Sequence, residues 1–287
     1  MNIVLTSNRA FLVRTFATIF SIEKFSSVKN KYFILIEENN KNLSNRISQF
    51  SEMYGFDICY IEIDRQLFNG LPINSRISSE TYFRLAIPTI FKGRYSELVY
   101  VDSDFLFLDD IERLIPKTKM EKFLSAVPDP LICRGGHKEN WRDTSYFNAG
   151  LLVFNLNQNH NLIQYAQENI RFILSKEDPY LFDQDILNYY LNGDFIQMPY
   201  KWNMQTKFFK RINLAKKKGL TSEDFLKPAA IHFSGNLKPW IRGVYHPYKD
   251  IYLSHLSELI DDADCVKKAP LRVISFKIAQ FLSIFEK

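Results

Sequence analysis

Apolar positions along the first hundred residues switch repeatedly between two periods. Asn2–Thr6 (NIVLT), Tyr32–Glu37 (YFILIE), Asp57–Ile63 (DICYIEI) and Leu98–Val101 (LVYV) are short runs rich in β-branched and aromatic residues, and they predict strands. Between them, Asn8–Ile22, Asn42–Met53 and Ser79–Phe91 space their apolar residues as helices do, the last behind a Ser-rich start suited to capping. Strands alternating with helices predict an α/β domain whose crossovers join parallel neighbours. Such sheets bind ligands beyond the carboxyl ends of their strands. The places to look are therefore Asn8–Phe11, after the first strand, and Asp102–Asp104, after the fourth.

The second half is less regular. Phe147–Leu156 holds an apolar run, Asn161–Ser175 and Asp183–Leu191 read as helices, and Ala229–Phe233 reads as a short strand carrying His232. Lys201–Gly219 is polar, basic and aromatic, and reads as an extended excursion. The chain shows no repeat, low-complexity segment or Pro/Gly-rich linker. Its economical division is one large domain over residues 1–250 and an appendage over 251–287.

Composition narrows the class. A chain of 287 residues with 46% hydrophobic and 24% charged residues is globular and long enough to bury a sizeable core. The net charge of +5 is unevenly spread: residues 266–287 hold five cations against Glu286, a net of +4, which leaves +1 for residues 1–265. A nearly neutral body without a recognised module argues against nucleic-acid binding. Arg9 and Arg14 interrupt the apolar start, against a signal peptide, and no stretch approaches the ~18 uncharged apolar residues of a spanning helix. Cys59, Cys133 and Cys265 are odd in number and far apart, which fits a reducing, cytosolic compartment better than a disulfide framework. As a helix, Leu271–Phe285 would gather Leu271, Ile274, Ile278, Phe281, Leu282 and Phe285 on one side. That segment either packs its apolar side on the body or lies on an anionic membrane surface, its cations meeting headgroups.

The strongest chemical signal is Val99-Tyr100-Val101-Asp102-Ser103-Asp104. Two carboxylates at i and i+2 on an extended backbone share a side and can share one hard cation. Isolated D-x-D sequences are often surface turns, but an apolar strand in front puts this one at the ligand edge of a sheet. An aspartyl-phosphate phosphatase would use a similar motif, usually nearer the N-terminus. The second signal runs from Ile231 to Trp240, where His232, Gly235, Lys238 and Trp240 fall within nine residues. An imidazole would complete a carboxylate-plus-nitrogen site for a Mn-like ion, and Lys238 is a point cation suited to phosphate. Alternatively His232 is a core histidine beside a turn. Tyr146-Phe147-Asn148-Ala149-Gly150 and Asp183-Gln184-Asp185 mean little alone, a turn and a helix cap sufficing for them.

Taken in order with Thr81-Tyr82-Phe83-Arg84-Leu85, these segments resemble the retaining glycosyltransferases of family 8, which include lipopolysaccharide galactosyl- and glucosyltransferases and glycogenin; the resemblance covers residues 1 to about 245. It implies a Rossmann-like, nucleotide-sugar-binding GT-A fold with a mostly parallel central sheet. Asp102, Asp104 and His232 would bind Mn²⁺, with Mg²⁺ as the alternative ion, bridging the phosphates of UDP-galactose or UDP-glucose. Gly235 and Lys238 would hold the diphosphate, and Asp102 and Ser103 would also contact the substrate. Asn8 and Phe11 would contact the uracil; the family often carries Asp and Tyr there, but an amide still bonds a base edge and a phenyl ring still stacks. Arg84, Asp129, Asn148, Asp183 and Gln184 would surround the donor sugar, with Asp129, Asp183 and Gln184 as the catalytic set. Arg76 and Ile77 would lie toward nucleoside and acceptor.

The same resemblance implies transfer of a hexose to a glycan acceptor such as the lipopolysaccharide core; the basic amphipathic tail, read on its own residues, would hold such a cytoplasmic enzyme at the inner face of the membrane. An amide such as Gln184 is a poor nucleophile, which favours same-face attack with the leaving phosphate taking the acceptor proton. A metal-dependent sugar-phosphate hydrolase and a UDP-sugar-binding module without turnover are the rival classes.

Overall fold

The computed structural model describes residues 1–38, 40–73, 78–115, 120–131, 146–175 and 182–259. In chain order its elements are β1 (Asn2–Thr6), α1 (Leu12–Glu23), β2 (Lys31–Glu37), α2 (Lys41–Tyr54), β3 (Asp57–Ile63), α3 (Phe83–Phe91), β4 (Glu97–Val101), β5 (Phe105–Phe107), β6 (Leu124–Pro128), β7 (Phe147–Asn155), α4 (Leu162–Ser175), α5 (Phe182–Leu191), β8 (Ile196–Gln197), β9 (Met204–Gln205), α6 (Thr206–Lys210), α7 (Ile212–Lys217), α8 (Ser222–Leu226), β10 (Ala230–His232) and α9 (Lys249–Leu259).

Seven strands form one sheet in the order β3-β2-β1-β4-β7-β6-β8. The first four are parallel neighbours, β7 runs antiparallel to both β4 and β6, and β8 is parallel to β6. This is the mixed, mostly parallel sheet that the alternating pattern predicts. Helices cover both faces, so the central strands are buried on both sides and β7 has no exposed residue. Alternation along β1 shows the partition: Val4 joins a core with α3, α4 and α5, whereas Ile3 and Leu5 join a core with α1 and α2. Local signals fix the helix ends. Asn40 accepts from Leu43 N–H at 3.2 Å at the start of α2, and Gly55 closes it at φ +67°, a conformation open to glycine.

A second sheet, β5-β10-β9, packs at the carboxyl ends of β1 and β4. Its core joins Leu106, Met204, Phe208, Phe225, Ile231 and Phe233 to Tyr252 and Leu256 of α9. The segment read as an extended excursion, Lys201–Gly219, is instead a turn, the short β9 and the helices α6 and α7, because Trp202, Met204, Phe208 and Ala215 bury themselves at uneven spacing. Helix α1 begins at Leu12 rather than at Asn8, since Asn8 Oδ1 accepts from Ala10 N–H (3.0 Å) and Phe11 N–H (3.1 Å) and holds residues 8–11 in a turn. Among the described residues no helix is long and apolar enough to cross a membrane. The amphipathic segment Leu271–Phe285, Cys133, Cys265, Arg76 and Ile77 lie outside the described residues; Cys59 is an exposed free thiol.

Candidate active site

The two carboxylates of the D-x-D sequence stand where the chain leaves the large sheet for the small one. They lie on a turn between β4 and β5 rather than on extended backbone, so strand alternation is not what brings them together. The antiparallel pairing of β5 with β10 sets His232 opposite Phe105, next to Asp104. As a result one ligand atom from each of Asp102, Asp104 and His232 lies within 4.8 Å of the others. His232 Nε2 is 3.3 Å from Asp104 Oδ1 and 3.8 Å from Asp102 Oδ2.

Neighbours divide the oxygens of Asp102 by task. Its Oδ1 accepts from Tyr100 Oη (2.7 Å) and pairs with Arg84 Nη2 (2.9 Å). Its Oδ2 stands over Gly150, where a Cβ would come within 2.9 Å of it and within 2.5 Å of His232 Cε1. Asp104 pairs through Oδ2 with Lys238, whose ammonium also donates to Phe233 O at 2.7 Å. Burial pushes the Asp104 carboxyl up, but Lys238 and His232 outweigh it and hold the group well below the usual carboxylate range. Two carboxylates and one imidazole nitrogen, meeting where a glycine leaves space, suit a hard or borderline divalent cation.

Beside this trio lies a buried polar wall. The Arg84 guanidinium bridges Asp102 to Asp183 (Nε–Oδ2 3.1 Å) and donates to Ala149 O at 2.7 Å. Burial opposes its charge, but the two carboxylates outweigh that and keep it a cation. Burial raises the Asp183 carboxyl to about 6; Arg84 pulls it down and Asp102 pushes it up. The Gln184 amide makes three hydrogen bonds: Oε1 accepts from Asn148 Nδ2 (2.9 Å) and Ala149 N–H (3.1 Å), and Nε2 donates to Tyr146 Oη (3.0 Å). Tyr146 in turn donates to Asp185 at 2.6 Å.

Other sequence-derived candidates take quieter places. Ser103 is buried and donates to Thr6 O at 2.6 Å, tying β4 to β1. Asp129 is 1% exposed at the end of β6, paired with Lys207 of α6. Phe11 and Trp240 meet edge to face at 6.2 Å, with Arg14 over the indole at 5.3 Å, on the side where Gly235 turns the chain at φ +77°. Sequence reasoning missed Tyr100, Lys207 and Asn203. Asn203 is fully buried, donates to Asn148 Oδ1 at 2.9 Å and lies 3.0 Å from His232 Nδ1, and no local pattern marks it.

The chain is similar to known proteins in sequence and in fold. General stress protein A of Bacillus subtilis (strain 168) is 28% identical over 236 residues, 77% of this chain and 79% of that protein. Lipopolysaccharide 1,2-glucosyltransferase of Escherichia coli (strain K12) is 22% identical over 77% of this chain and 67% of its own length. The crystal structure of galactosyltransferase LgtC in complex with donor and acceptor sugar analogs superposes with a TM-score of 0.75 at 21% identity, covering 94% of this chain and 98% of that one, so the two share the GT-A fold. The sequence profile of Glycosyl transferase family 8 matches residues 2–243, a span that holds every site residue described above, and the chain belongs to that family.

Proposed function

We infer that this glycosyltransferase moves a hexose, galactose or glucose, from a UDP-sugar to a glycan acceptor with retention at the anomeric carbon, using a divalent cation. The convergence of Asp102, Asp104 and His232 beside Lys238 carries this reading. These three would hold Mn²⁺, their mixed oxygen and nitrogen donors suiting it, with Mg²⁺ as the alternative; the ion supplies Lewis-acid neutralisation of the departing diphosphate. Lys238 adds a cation on the same side, and the Gly235 turn lets backbone approach a phosphate. Phe11, Trp240 and Arg14 offer ring and guanidinium faces to a nucleobase, while Asn8 holds the turn that presents Phe11. Arg84, Asn148 and Asp183 would orient sugar hydroxyls, with Asp129 behind them and Arg76 and Ile77 toward the acceptor.

The three bonds already made by the Gln184 amide argue against a nucleophilic role. They support same-face attack, in which the acceptor hydroxyl replaces UDP on the face it leaves and the departing phosphate oxygen takes the proton. Relatives named for lipopolysaccharide and galactosyl transfer favour a lipid-linked glycan as acceptor. The basic amphipathic tail would hold the enzyme at an anionic cytoplasmic membrane face.

UDP release from UDP-galactose and UDP-glucose, with and without Mn²⁺ and with and without lipooligosaccharide acceptor, tests the reading. Metal-dependent, acceptor-stimulated release is expected, and Asp104→Asn should lower it by about two orders of magnitude. Equal release without acceptor would favour the hydrolase. Undiminished turnover by Asp104→Asn would refute the cation site.

A further inference from the structure

Buried side-chain amides link the sheet floor to His232 in one hydrogen-bonded chain, and backbone groups that can only donate set its direction. It starts at a break in strand register. Ala126 of β6 faces Leu152, but the next residue, Val127, faces Asn148, which leaves Ala149–Leu151 without a β6 partner. Gly150 N–H donates to Asn148 Oδ1 at 3.0 Å, which fixes that atom as the oxygen. The Asn148 amide nitrogen then faces Gln184 Oε1, which also takes Ala149 N–H. Asn148 Oδ1 accepts a second bond, 2.9 Å, from Asn203 Nδ2. With its NH2 committed there, Asn203 must present its carbonyl oxygen to His232 Nδ1 at 3.0 Å. A carbonyl oxygen only accepts, so Nδ1 carries the proton. Nε2 is the ring nitrogen that faces Asp104 Oδ1 and Asp102 Oδ2, and its lone pair is the one left for a cation held among them.

We propose that Asn203 is a positioning residue for the cation site: it holds His232 as the Nδ1–H tautomer and aims Nε2 at the two carboxylates. The proposal rests on the reading of Asp102, Asp104 and His232 as cation ligands. Asn203 is 0% exposed, so it acts through His232 and not on substrate. An imidazole without such a partner exchanges its proton between both nitrogens and loses its fixed orientation. Partners of this kind typically account for about 10- to 100-fold in metal affinity.

Two measurements on the full chain test the proposal. Long-range ¹H–¹⁵N histidine spectra of the metal-free protein, with His232 assigned by its loss in His232→Gln, should show a proton on Nδ1; an unprotonated Nδ1 overturns the proposal whatever any variant does. Mn²⁺ titration calorimetry without nucleotide should show Asn203→Ala binding about 10- to 100-fold more weakly than wild type, with Asp104→Asn weaker as well. Loss in Asp104→Asn with wild-type affinity in Asn203→Ala refutes the role of Asn203 alone. Wild-type affinity in Asp104→Asn refutes the cation site on which it rests. Should Asn203→Ala fail to fold, the wild-type tautomer decides.

Discussion

Gly150 and His232 are in such close register that no side chain fits between them: a Cβ on Gly150 would stand 2.5 Å from His232 Cε1 and 2.9 Å from Asn148 Oδ1. The constraint is one of space, and the atoms it meets are held in place. His232 stacks on Phe105 with ring centroids 4.4 Å apart, and Asn148 is locked by Gly150 N–H and Asn203. Gly150→Ala must therefore displace the imidazole. The expected cost is about 1–3 kcal/mol in urea unfolding, as for other overpacked cores. Mn²⁺ affinity should fall on the order of tenfold, as when a ligand loses its orientation. A variant that binds Mn²⁺ like wild type would show that the imidazole is free to shift.

The raised Asp183 carboxyl predicts an acid limb in activity. Its proton comes off at about 6 in the folded chain against 3.8 for an unperturbed Asp, because burial disfavours the charge more than Arg84 favours it. Below pH 6 the group is neutral and its ion pair with Arg84 is lost, so kcat/KM should fall about tenfold per pH unit there. Since Arg84 pulls the value down, Arg84→Gln should move this limb upward, and Asp183→Asn should abolish it at low residual activity. For stability the sign is opposite to that of an ordinary paired carboxylate. The contribution of Asp183 is most favourable below pH 3.8 and is lost as pH rises through about 6. Asp104, held low by Lys238 and His232, contributes stability above the usual carboxylate range and loses it on acidification. A pH profile of kcat/KM without a limb near 6 would sink the Asp183 assignment.

The parts of the fold that repeat a period are legible in the sequence. The period-2 and period-3.6 runs mark β1 through β4 and the helices between them, and the apolar run of β7 is visible as well. Strands β5 and β6 are not, because FLF is too short and LSAVP is buried on both faces and has no alternation. The Lys201–Gly219 segment misled because its buried residues follow the shape of the small sheet rather than a helical or strand period. The same divide runs through the site. Asp102, Asp104 and His232 carry their chemistry in their side chains, and the structure brings all three together. Asn203 and Lys207 have meaning only through what they face, Asn148 and His232 in one case and Asp129 in the other, and that depends on pairings between distant segments.

The C-terminal segment supports a prediction from sequence. Residues 266–287 carry a net +4, and as a helix Leu271–Phe285 would gather its apolar residues on one side. Such a helix binds at the lipid interface through apolar burial, and each cation near the surface adds about 1 kcal/mol on anionic lipid. The full chain should co-sediment with vesicles containing phosphatidylglycerol, weakly with phosphatidylcholine alone, and less well as salt is raised. A chain ending at Asp264 should remain in the supernatant. If it pellets as the full chain does, the tail is not the membrane contact.

Lys207 offers the sharpest test of the buried wall. Asp129 is 1% exposed, its Oδ1 has no hydrogen-bond partner among the described residues, and Oδ2 pairs with the Lys207 ammonium reaching across from α6. A buried carboxylate that loses its counter-cation either stays charged at high cost or takes up a proton. Lys207→Met keeps the length of the stem and removes only the charge, so it isolates the pair from packing. Its expected cost is about 3 kcal/mol at pH 8, the low end for breaking a buried pair, because the Lys207 side chain is 31% exposed and water screens part of the loss. Lys207→Met combined with Asp129→Asn should regain much of the lost stability, since the amide needs no counter-cation. Urea unfolding of the two variants and of wild type at pH 8 measures both effects. If the double variant is no more stable than Lys207→Met at pH 8, the pair is not what stabilises this corner of the site.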